Sequence, residues 1–195
     1  MILWGVDEVG RGSLAGPVIS VAYCCRDNTD LSSAKDSKMI SPKRRLLLAE
    51  FFKKNSIEWS FGIVSSSVID KINIHQASLL SMRIALNNLL TIPDKVYVDG
   101  KFIPETIFNT QSVVRGDRII PVISVASIIA KVFRDNIMVN YSKVFSNYLF
   151  EKNYGYGTKY HLNSLKVHGL TKIHRKTFKP CDIWLYLISV PINIL

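Results

Sequence analysis

The sequence predicts a mixed α/β fold, a β-sheet covered by helices, and three observations predict it. Two strand-like apolar runs, residues 1–6 and 18–25, lie on either side of a Gly16-Pro17 turn. Segments of period two and segments of helical period then alternate along the chain. From about Pro121 a long helical run carries small residues suited to close packing on a sheet.

The elements follow in order. Residues 1–6 are apolar enough for a buried strand, and 18–25 supply a second. Ser41-Pro42 reads as an N-cap with proline at the first helical position, opening a helix through about residue 54. In IEWSFGIV, residues 57–64, Ile57, Trp59, Phe61 and Ile63 alternate onto one face, as in a half-buried strand. Residues 74–90 have helical spacing, with Ala77, Leu80 and Ile84 in the core stripe. A strand at 95–99 ends in Asp99-Gly100, and a short apolar strand precedes Arg115-Gly116-Asp117. The run VISVASIIAKVFRDNI is a helix, with Ala126, Ser127 and Ala130 permitting close approach. Residues 141–195 hold more polar and basic residues and are expected to form a helical C-terminal extension on the same core, making 1–195 one domain.

With 195 residues and 48% hydrophobic composition, the chain is long and apolar enough for a real core. Its formal net charge is +10, which disfavours self-association and attracts polyanions, nucleic acid first and an anionic membrane surface second. Residues 151–195 carry seven Lys or Arg against two acids, a local charge of +5. A monomer is expected. Cys24, Cys25 and Cys181 contain no CxxC spacing, so neither a disulfide framework nor a zinc knuckle is implied. No basic segment followed by an apolar one opens the chain, which points to the cytoplasm. The uncharged run 183–195 is too short to span a bilayer and contains Pro191; it is expected to pack on the domain.

Four carboxylates stand where strands give way to loops: Asp7, Glu8, Asp99 and Asp117. Singly, each has an ordinary explanation in turn chemistry. Together they point to a site, because parallel neighbouring strands deliver their C-terminal ends to one edge of a sheet. Hard cations such as Mg²⁺ take oxygen ligands, usually a few carboxylates completed by substrate phosphate. Two such ions roughly 4 Å apart can activate water and stabilise the leaving oxygen of a phosphodiester. Asp7 and Glu8 point to opposite faces if their strand continues, and reach one site only if it twists or ends there.

Other chemistries fit less well. Gly5 and Gly10 have P-loop spacing, but Arg11 and Gly12 stand where that loop needs Lys and Ser or Thr. His75, His161, His168 and His174 form neither HExxH nor a zinc-finger spacing. His75 reads as structural, and the other three as phosphate contacts or packing. No GxSxG elbow is present.

With these residues assembled, the chain resembles bacterial ribonuclease HII over nearly its whole length. VDEVGRGSLAGPV, residues 6–18, is similar to the family's N-terminal signature, AKDSK at 34–38 to its DSK segment, and YVDGK at 97–101 to the strand carrying its third acid. RGD at 115–117 stands where the family shows KGD. SVASIIAKVFRD at 124–135, GYGTKYH at 155–161 and HGLTKIHRKTF at 168–178 resemble its helix and tail motifs, with Thr177 where Ser is usual. The six residues before Asp7 fit type HII better than type HIII, which carries an extra N-terminal domain.

The resemblance implies a ribonuclease H-like fold. It also implies cleavage of RNA paired with DNA and of single ribonucleotides in duplex DNA, leaving 5′-phosphate and 3′-hydroxyl ends. Asp7, Glu8, Asp99 and Asp117 fall on the family's catalytic metal carboxylates, for two Mg²⁺ or Mn²⁺ ions, with Asp7 bridging. Gly10, Arg11 and Gly12 match the loop that reads the groove beside the 2′-hydroxyl, the group that separates RNA from DNA. Tyr156 falls on the tyrosine at the DNA–RNA junction. Lys38, Lys131, His161 and Arg175 are phosphate or support candidates, and Lys131 can instead pair with Asp135 at i,i+4. A non-catalytic nucleic-acid binder would gain only repulsion from four acids. A resolvase or transposase on a related fold would need neither the Gly-Arg-Gly loop nor the tyrosine.

Overall fold

The computed structural model describes residues 1–34 and 41–183. Five strands form one sheet in the order β3-β2-β1-β4-β5, with β1 (Ile2–Val9), β2 (Val18–Arg26), β3 (Glu58–Val64), β4 (Lys95–Asp99) and β5 (Thr110–Val113). β2 runs antiparallel to β1 and β3, while β1, β4 and β5 are parallel. The sheet is mixed, as expected. Val6 pairs with Val98, so the next residues along, Asp7 and Asp99, leave adjacent parallel strands at one edge.

Helices cover both faces. On one lie α1 (Pro42–Asn55) and α4 (Pro121–Val144), burying Phe52, Val125 and Ile129 against Val21 and Tyr23. On the other lies α2 (Ser66–Asn87), burying Met82, Ala85 and Leu86 against Trp4, Val6 and Val98. The Ser41 cap forms as predicted, its Oγ accepting from the Arg44 N–H at 3.3 Å. The short helices α3 (Gly116–Ile119), α5 (Phe150–Asn153) and α6 (Lys159–His168) complete the described chain. The C-terminal segment packs on the rest through Tyr148, Phe150, Leu165 and Cys181, which meet Leu14, Ala15 and Met138.

Three local expectations change. β1 continues through both acids to Val9, although its apolar run stops before them. In β3 the buried face is Ser60, Gly62 and Val64, whereas Ile57 and Ile63 are exposed. The reason is how closely α2 approaches: a Cβ at Gly62 would collide with the Ser81 carbonyl oxygen, so only small residues fit beneath the helix. α2 begins eight residues earlier than predicted and is broken at Asn73, whose φ of 64° and ψ of 166° are not helical. Asn73 Oδ1 accepts from the Gln76 N–H at 3.1 Å and so caps the segment that restarts there. Lys38 and residues 184–195 of the apolar run lie outside the described residues.

Gly62→Ala should therefore lower stability by about 1–3 kcal/mol through overpacking. Urea unfolding should show a lower midpoint at unchanged slope; an unchanged midpoint would contradict the close approach.

Candidate active site

Asp7 and Glu8, neighbours on a continuous strand, face opposite sides of the sheet. Asp7 lies on the α4 side, where the Ser127 hydroxyl hydrogen-bonds its carboxylate. Glu8 lies on the α2 side, in a cleft shared with Arg11, His75 and Asp99. The site therefore wraps the end of the sheet instead of sitting on one face. The Glu8 backbone N–H donates to Asp7 Oδ1 at 2.7 Å, which locks the two together. Asp99 ends β4 beside them. Asp117, buried in the first turn of α3, donates its backbone N–H to Asp99 Oδ1 at 3.3 Å. Arg115, with φ of 58°, makes the left-handed turn into that helix.

The electrostatics are strained. Burial pushes the Asp7 carboxyl well above the usual carboxylate range, and the charges of Glu8 and Asp99 push it further. Glu8 is also raised, chiefly by burial, with Arg11 opposing through an Nη1–Oε1 contact of 3.3 Å. Among the described residues no three His, Cys, Asp or Glu side chains close into a ready-made metal cage. The donors are nonetheless all oxygen, hard and crowded. That fits Mg²⁺ or Mn²⁺, ions suited to carboxylate ligands, with Mg²⁺ in particular bound by one or two carboxylates and leaving room for water and substrate phosphate.

Beside the acids, residues 10–17 form a loop held from below by two fully buried arginines. Arg175 donates Nη1–H to the Arg11 carbonyl at 2.8 Å and Nη2–H to those of Gly10 at 2.6 Å and Gly16 at 3.0 Å. Arg134 donates to the carbonyls of Pro17, Ala15 and Tyr154 and to Ser13 Oγ. Gly10 has φ of +94°, and a Cβ there would collide with the Arg134 guanidinium, so glycine is required twice over. Gly12 is exposed, and beyond its chain neighbours no atom lies within 4 Å of where a Cβ would stand. Among the described residues, nothing in the protein accepts from the Arg11 or Gly12 N–H.

Tyr156 is tied to the same loop, because the preceding Gly155 carbonyl accepts from the Leu14 and Ala15 N–H groups at 2.8 and 3.3 Å. Its half-buried ring has the Arg134 guanidinium at 5.6 Å and Lys131 Nζ at 5.9 Å from the centroid. Lys131 also makes the expected ion pair with Asp135, at 2.8 Å.

His161 and Arg175 are support residues, since full burial keeps both from any phosphate. The His161 and His174 rings form a chain of fixed tautomers. The Thr171 N–H donates to His174 Nδ1 at 2.8 Å, so His174 carries its proton on Nε2 and donates to His161 Nε2 at 2.9 Å. His161 then donates Nδ1–H to the Tyr156 carbonyl at 2.9 Å. Burial pushes both imidazoles down, His174 to about 3, so the pair stays neutral. Sequence reasoning left His174 between phosphate contact and packing and missed Arg134; no local signal distinguishes a buried Arg or His from a surface one.

The ribonuclease HII family model matches residues 4–181. The chain is 48% identical over 180 residues to a ribonuclease HII of Pelagibacter ubique, covering 92% of this chain and 96% of that one. Its fold is similar to the crystal structure of ribonuclease H2 from Pyrococcus horikoshii OT3, with a TM-score of 0.82, 23% identity, and coverage of 96% and 98%. It is also similar to Bst-RNase HIII in complex with Mn²⁺, with a TM-score of 0.73, 14% identity, and coverage of 97% and 70%.

Two outcomes follow from the site's construction. The raised Asp7 carboxyl costs stability once ionised: the penalty is absent below its unfolded pKa and grows as pH rises toward the folded one. In metal-free protein, Asp7→Asn should raise Tm, by a margin that widens from pH 4 to pH 8 in thermal scans. Arg175→Ala strands the carbonyls of Gly10, Arg11 and Gly16 and should cost about 3 kcal/mol or more in urea unfolding.

Proposed function

The chain belongs to the ribonuclease HII family, and from that premise we propose a metal-dependent endonuclease that cuts the RNA strand of RNA/DNA hybrids and cuts at single ribonucleotides embedded in duplex DNA. The observation that carries this reading is the adjacency of two unlike structures, the acids at the strand ends and the loop of residues 10–17. Asp7 and Glu8 lie near the end of β1 beside Asp99, whose Oδ1 accepts from the Asp117 N–H. The residues after β1 form a loop whose Arg11 and Gly12 N–H groups have no protein acceptor among the described residues.

Each part has a task. Asp7, Glu8, Asp99 and Asp117 would hold two Mg²⁺ or Mn²⁺ ions, and bound there the ions would supply an activated water and charge stabilisation at the scissile phosphate. Arg11 holds Glu8 on its side of the strand end. The Gly10–Arg11–Gly12 backbone meets the minor groove, where the 2′-hydroxyl marks a ribonucleotide. Its peptide carbonyls at 10 and 11 are already engaged by Arg175, so its free N–H groups are the ones open to substrate. Tyr156 stacks on the sugar at the DNA–RNA junction, its backbone fixed by His161. Lys38 is read as a phosphate contact. The products carry 5′-phosphate and 3′-hydroxyl ends.

The net charge of +10 supports a polyanionic partner and a monomer kept apart by repulsion. Among the described residues no helix is long and apolar enough to cross a membrane, and the cytoplasm is the proposed compartment.

The purified chain should nick duplex DNA carrying one ribonucleotide and spare an all-DNA duplex. Absence of cutting across a Mg²⁺ and Mn²⁺ titration would overturn the proposal. Asp7→Asn should lose more than about 100-fold in turnover while still binding substrate. Tyr156→Ala should lose about 5- to 100-fold in kcat/KM on the single-ribonucleotide duplex; wild-type kinetics would remove the ring from the junction.

A further inference from the structure

His75, read from the sequence as structural, lies on the wall of the cleft that Glu8 and Asp99 line. It stands at the start of the second segment of α2, which the left-handed Asn73 re-aims and caps. Non-glycine residues held at positive φ concentrate at functional sites, because the surrounding fold must offset their strain. The edge contact with Phe102, ring centroids 4.6 Å apart, fixes the imidazole plane. Phe102 belongs to the turn that follows Asp99, so one short stretch both presents the acid and braces the histidine.

The ring is half-buried, and among the described residues its two nitrogens make no hydrogen bond. The Phe102 contact uses only the ring's edge or face, so the two nitrogens are left for solvent or a ligand. Arg11 and Lys101 line the same cleft, Arg11 already paired with Glu8 at 3.3 Å, so N–H donors and acids share one small opening. A phosphodiester beside acids that would hold cations also needs N–H donors to its remaining oxygens.

We propose that His75 is a substrate-contacting residue, donating a ring N–H to a phosphate oxygen of the cleaved strand next to the scissile bond. This rests on the endonuclease reading above. The contact is formed with the ground-state strand as well as with the transition state, so it acts mainly on KM.

Two variants separate contact from packing. His75→Leu keeps apolar volume against Phe102 and loses the donor; His75→Gln keeps an N–H donor and loses the ring. If His75 touches phosphate, Leu raises KM on the single-ribonucleotide duplex about 10-fold or more with kcat within about 2-fold, and Gln restores most of the loss. If it only packs, Leu has wild-type kinetics and Gln lowers Tm, which overturns the proposal. The metal concentration for half-maximal activity should be the same in both variants, and a shift would also overturn it by making His75 a ligand. A wild-type chain that cuts no ribonucleotide substrate defeats the endonuclease reading itself; a wild-type chain that cuts, beside an unchanged His75→Leu, defeats this inference alone.

Discussion

Much of this architecture hangs on two guanidinium groups buried with carbonyls and not with carboxylates around them. Arg134 and Arg175 come from α4 and from the segment after α6, more than 100 residues beyond the loop they hold. Among the described residues neither has an acid in direct contact; each has peptide oxygens as partners, and burial pushes Arg175 down to about 9. The stability of such a charge depends on having every donor occupied in good geometry. The loop supplies those acceptors only if residues 10–17 follow one path. Cation and loop therefore define each other, and the order that results is handed on to Tyr156 through Gly155 and to the acids through Glu8 and Arg11.

A second tension is electrostatic. The protein carries a large positive charge, yet its site gathers negative charge that the fold itself resists. The two are compatible because they act at different ranges. Surface lysines and arginines attract a polyanion over distances comparable with a Debye length, while in the proposed reaction the buried acids would act only within a few ångströms. A cleft lined by Glu8 and Asp99 together with Arg11, His75 and Lys101 holds both kinds of group in one place.

How far all this could be read from the sequence depended on whether a feature was local. Strands β1, β2 and β4 and helix α4 announce themselves by period, caps and proline, and the parallel pairing of β1 with β4 makes the convergence of Asp7 with Asp99 foreseeable. The buried face of β3 was not foreseeable from alternation, because the residues that matter there are small ones beneath a helix that arrives later in the chain. The break at Asn73 leaves no periodic trace, and without it His75 looks like any helical residue. Arg175 and His161 look like surface groups in a basic segment; only their partners at Gly10, Gly16, Tyr156 and His174 show that they face inward.

Because β1 runs unbroken through Asp7 and Glu8, the two acids are sorted onto opposite sides by parity alone. A deletion or insertion of a single residue between Ile2 and Val6 would either exchange their sides or pull Trp4 and Val6 out of the core. A change of two residues keeps the sorting. Length in this strand is thus quantised in pairs, and the chemistry tolerates editing of the chain only in even steps.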